Sequence, residues 1–116
     1  MVKPIDRIPV VFWRSTTGRE PVRAWLKGLP HDDRRAIGFD LAKLQIGWPV
    51  GMPLSRSLGD GLWELRSTMP SSRIARIIFT FSEGTIVLLN GFVKKSQKAP
   101  ASELALARNR AKDMAS

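Results

Sequence analysis

The chain has 116 residues, no cysteine and one histidine, and its 19 Lys and Arg against 10 Asp and Glu give a net charge of +9. One domain is expected at this length, and 43% apolar residues are enough to bury a core. Without cysteine there is no disulfide and no thiolate nucleophile, and one imidazole makes zinc or haem ligation poor.

The first apolar stretch, "IPVVFW", is too short for a membrane span or a leader and is closed by Arg14. A cytoplasmic protein is the expectation. The β-branched and aromatic residues predict a strand over 8–14, with Pro9 at its start, as on an edge strand. Pro21 suits the first turn of a helix, and Val22, Trp25, Leu26 and Leu29 recur at three and four residues. Gly28 and Pro30 end it. His31 and Asp32 offer caps for a second helix over 32–46, which carries Ile37, Leu41 and Leu44 on one face. The two helices are expected to form an antiparallel hairpin. Asp32 and Asp33 read as charge favoured at a helix start rather than as a catalytic pair.

"GWPVGMP" reads as a loop and "SRSLGDG" as its continuation into a turn. Strands are predicted over 62–67 and 73–81, with "SEG" as a hairpin turn. A third, over 85–93, is apolar enough to be covered on both faces. Pro100 opens a last helix over 101–114, with Leu104, Ala107, Ala111 and Met114 on one side. The order β-α-α-β-β-β-α defines an α+β domain with one mainly antiparallel sheet.

Basic residues gather on that sheet. From Arg66 to Lys98 the chain has Arg66, Arg73, Arg76, Lys94, Lys95 and Lys98 against Glu83 alone. Arg76 lies inside an apolar strand, where a guanidinium is costly without a partner. Either it pairs with Glu64 across the sheet, or its planar fork holds an anion. Arg66 sits on a strand end, Arg73 at a strand start and Arg56 in a loop. Lys94, Lys95 and Lys98 form either a solvated strand end or a polyanion site. Neighbouring strand residues point to opposite faces, so Lys94 and Lys95 share a groove only where the strand ends. A cationic sheet face can bind RNA phosphates. Cleavage by the 2′-hydroxyl further needs proton removal, charge stabilisation and a protonated leaving group. Arginine supplies the second, and a lysine crowded by cations could move protons. No GxxxxGK(S/T) or GxGxxG loop is present.

"GLWELRS", "RIARIIFTF" and "IVLLNGFVKKSQKAPASELALARNRAKDM" together resemble the phage-derived Gp49-like, or HigB-like, toxins of the RelE/ParE toxin–antitoxin superfamily. The resemblance spans about 8–114. It implies the small RelE-like fold, a ribosome-dependent mRNA endoribonuclease that needs no metal or other cofactor, and a helix-turn-helix antitoxin partner. It implies Arg76, Lys94, Lys95 and Lys98 as catalytic residues and matches Arg66 to a family arginine; Arg66, Arg73, Arg56 and Asn90 are the candidate RNA-phosphate contacts. Asn90 stands where many relatives have His and Phe79 where many have Tyr, and the chain has no Tyr. The superfamily also holds gyrase-poisoning toxins, so a non-nucleolytic member or a basic nucleic-acid-binding module remains the alternative.

Overall fold

The computed structural model describes residues 7–93 and 100–115. The elements run β1 (Val10–Phe12), α1 (Pro21–Lys27), α2 (His31–Gly47), β2 (Ser55–Gly59), β3 (Leu62–Thr68), β4 (Ile74–Ser82), β5 (Thr85–Val93) and α3 (Ala101–Ala115). The five strands form one sheet in the order β1-β5-β4-β3-β2. Strands β2 to β5 are an antiparallel meander, and β1 adds to β5 in parallel, with Val10 opposite Ile86. The α+β class and the mainly antiparallel sheet are as expected from the sequence.

One strand differs from the expectation. "SRSLG", read as part of a turn, is the edge strand β2, which pairs Arg56 with Glu64 and Gly59 with Leu62. Its polar residues carry little strand propensity, so pairing to β3 decides the matter. The connection is a two-residue loop in which Asp60 (φ 55°) and Gly61 (φ 78°) both take positive φ. That is the geometry favoured in tight hairpins, and Asp-Gly is its usual sequence. The same geometry closes β4 to β5 through Glu83 and Gly84. Strand β1 is also shorter than the predicted 8–14. Past it, Trp13 N–H still donates to Leu88 O at 2.9 Å.

The strand period of two separates two cores. Leu65, Ile77, Phe79, Ile86 and Leu88 pack with Val22, Ile37 and Leu44 of α1 and α2. On the other face Leu62, Ile78, Val87 and Leu89 pack with Ala107, Leu104 and Ala111 of α3. The sheet therefore lies between the first two helices and the last. Strand β5 is buried without a break from Ile86 to Asn90, as its apolar run implied. Close approach of α1 depends on Gly91, because a Cβ there would lie 2.5 Å from Cζ3 of Trp25.

Helix α2 begins at His31 with Pro30 before it and no side-chain cap, so neither His31 nor Asp32 caps it. Asp33 is not a solvated charge. It is buried, and it accepts hydrogen bonds from Ser71 N–H (3.2 Å), Ser71 Oγ (3.0 Å) and Arg73 Nη2 (3.4 Å). The start of α2 is thereby fixed to the connection between β3 and β4. Among the described residues, no helix is long and apolar enough to cross a membrane.

Candidate functional site

Register and alternation build the site. Arg66 stands directly opposite Arg76, and Arg56 directly opposite Glu64. Leu62 and Ile78 face α3, so Glu64, Arg66 and Arg76, each an even step along the same strands, share that face. Together with Met52, Pro53 and Ser55 these four charged residues line a cavity of about 70 Å³. Ser55 is fixed at the mouth of β2 by donating its hydroxyl to Val50 O.

The charges are arranged around one buried carboxylate. Glu64 Oε1 lies 3.2 Å from Arg56 Nε and 3.5 Å from Arg76 Nε. Side-chain exposure is 1% for Glu64 and 3% for Arg76, against 39% for Arg56. Three guanidiniums against one carboxylate leave the cavity with an excess of positive charge. Burial is the main influence on the Arg76 guanidinium and lowers its pKa; Glu64 opposes this, and Arg56 and Arg66 add to it. A guanidinium starts so far above neutrality that the role of Arg76 is that of a fixed cation, not a proton carrier.

Of the two sequence readings of Arg76, the pairing with Glu64 is what the structure shows, and it lies on the wall of a cavity with two more arginines. Arg56, read as a loop residue, is on β2 and joins the site through its register with Glu64. The Asp-Gly turn was the signal that could have placed it. Arg73 does not line this cavity and is engaged with Asp33. Asn90 is buried on β5, where its Nδ2 donates to Glu103 O (3.2 Å) and Glu103 Oε2 (2.6 Å), joining β5 to the first turn of α3. Lys94, Lys95 and Lys98 lie outside the described residues.

A second, wider cavity of about 770 Å³ adjoins the first and shares Arg66 and Pro53 with it. Asp40 and Lys43 of α2, Val50 and Leu54 of the following loop, and Thr68 of β3 complete its lining. Arg66 is held at the junction by its own backbone, whose N–H donates to Leu54 O at 2.8 Å.

A five-stranded sheet with a helical pair on one face, one closing helix on the other and arginines on inner strands is a small RelE-like fold. Residues 24–112 match the family described as phage-derived protein Gp49-like (DUF891), and the chain belongs to that family, part of the RelE/HigB-type toxin superfamily. No curated protein matches the chain.

Proposed function

We propose that the chain is the toxin of a toxin–antitoxin pair, a metal-independent endoribonuclease that cuts mRNA on the ribosome. The observation that carries this reading is the convergence of Arg56, Arg66 and Arg76 on one small cavity. Its excess positive charge, with Arg76 itself withdrawn from water, suits one phosphodiester. Family membership supports the toxin class and an antitoxin partner.

In this reading the non-bridging oxygens of the scissile phosphate lie against the arginines. The 2′-hydroxyl loses its proton and attacks phosphorus. The bond to the 5′ oxygen breaks, leaving a 2′,3′-cyclic phosphate and a 5′-hydroxyl end. Negative charge grows on the phosphoryl oxygens as this happens, and guanidiniums held in place need no reorganisation to meet it. The arginines stay charged throughout, so proton transfer falls to other groups. Lys94, Lys95 and Lys98, which directly follow β5 in the chain, are proposed for it.

Purified protein added to translating ribosomes should produce transcripts with 5′-hydroxyl ends. Arg76→Ala should slow cleavage by roughly 10²-fold or more while leaving ribosome binding measurable. Intact transcripts together with gyrase-dependent DNA breaks would refute the ribonuclease reading and favour the non-nucleolytic one.

A further inference from the structure

We infer that the wider cavity is a nucleobase subsite that selects, through Asp40, the base next to the phosphate held by the arginines. The inference rests on the RNA reading above and adds to it a specificity residue on a different element.

The two cavities adjoin, with Arg66 and Pro53 as common wall. A phosphate and its own nucleoside need two such spaces side by side, one small and cationic, the other larger and mixed. A volume of about 770 Å³ falls within the range of small-molecule sites. Val50, Pro53 and Leu54 give it an apolar wall for the flat face of a base. Asp40, Lys43 and Thr68 supply the polar groups that a base edge could meet.

Asp40 is the discriminating group because it is held in place. Ser67 Oγ, itself buried on β3, donates to Asp40 Oδ2 at 2.5 Å. Among the described residues the second oxygen is paired with Lys43 Nζ at 3.6 Å, on a side chain 69% exposed. Such a pair is weak and readily exchanged for another donor. A carboxylate accepts hydrogen bonds and cannot donate them. Guanine presents two adjacent donors, N1–H and N2–H₂, on one edge. Uracil presents a single N3–H between two carbonyl oxygens, which a carboxylate repels. The site therefore favours guanine over uracil, by about tenfold if the paired contact has the usual strength of a bidentate base contact.

The test is a titration of the native protein, at one fixed low salt concentration, with inorganic phosphate, guanosine 3′-monophosphate and uridine 3′-monophosphate, followed by backbone amide shifts. Phosphate should perturb Arg66 and Arg76. Guanosine 3′-monophosphate should bind about tenfold more tightly than the uridine compound and also perturb Asp40, Leu54 and Thr68. Asp40→Asn, which keeps an acceptor for Ser67, should bring the two nucleotides to equal affinity. Phosphate binding with equal nucleotide affinities on the native protein would overturn the subsite and leave the ribonuclease reading standing. Failure of phosphate itself to bind would overturn both.

Discussion

Removing the carboxylate of Glu64 tests the electrostatic logic of the site. In Glu64→Ala the Arg76 guanidinium, 3% exposed in the native protein, loses the carboxylate 3.5 Å away. Arg56, 39% exposed, can turn toward water, so the excess charge falls chiefly on Arg76. Breaking a buried ion pair from one side costs about 3–5 kcal/mol, and the half-open position of Arg56 argues for the lower end. Urea unfolding followed by tryptophan fluorescence reads the change. With a slope of about 1.5 kcal/mol/M, a loss of about 3 kcal/mol moves the midpoint down by about 2 M. The double variant Glu64→Leu with Arg76→Met removes both charges at similar volume and should recover most of that loss, as replacing both partners of a buried pair is often close to neutral. A midpoint for Glu64→Ala within 0.3 M of the native value (about 0.5 kcal/mol at that slope), or a double variant no better than the single, would refute the idea that Glu64 compensates the buried arginine.

Gly91→Ala should cost about 1–3 kcal/mol by overpacking, because the new Cβ would meet Cζ3 and Cε3 of Trp25 at 2.5 and 2.6 Å; a blue- or red-shifted tryptophan emission with a lowered midpoint checks it. Gly61→Ala, at φ 78° with open space around it, should cost about 1 kcal/mol through backbone conformation alone, so a midpoint unchanged in urea would contradict the assigned hairpin turn. Single-stranded RNA affinity should fall steeply with salt, and Arg66→Ala should reduce the slope of log affinity against log salt by about 0.7, the value for one lost phosphate contact.

The sheet was legible wherever hydrophobicity was strong and the turns were short. Strands β4 and β5 and the turn at Glu83–Gly84 followed from an apolar run on each side of a Ser-Glu-Gly punctuation. Strand β2 was not legible, since Ser55, Arg56 and Ser57 have no strand pattern of their own and become a strand only by pairing with β3. Part of the candidate site went with it, because Arg56 reaches the cavity through that register. Arg76 could be singled out from its sequence setting alone, and Glu64 could be named as its partner, because both lie on strands whose faces alternation fixes. Asp33 illustrates the limit. At the start of a helix it reads as favourable surface charge, and only the fold brings Ser71 and Arg73 around it. Asp40 was silent for the same reason: its value as an acceptor comes from Ser67 across the α2–β3 contact.

The parallel pairing of β1 with β5 bears on the order of assembly. Strands β2 to β5 are joined by short connections and can zip together locally, whereas Val10 must find Ile86 from the other end of the chain. The entropy of closing that long loop has to be met before its contacts give anything back. The arginine face belongs to the meander and forms with it. Strand β1 is therefore expected to join last and part first, an order that hydrogen exchange would show as the fastest opening at Val10–Phe12. During synthesis β1 is made well before β5 and must wait for it to leave the ribosome.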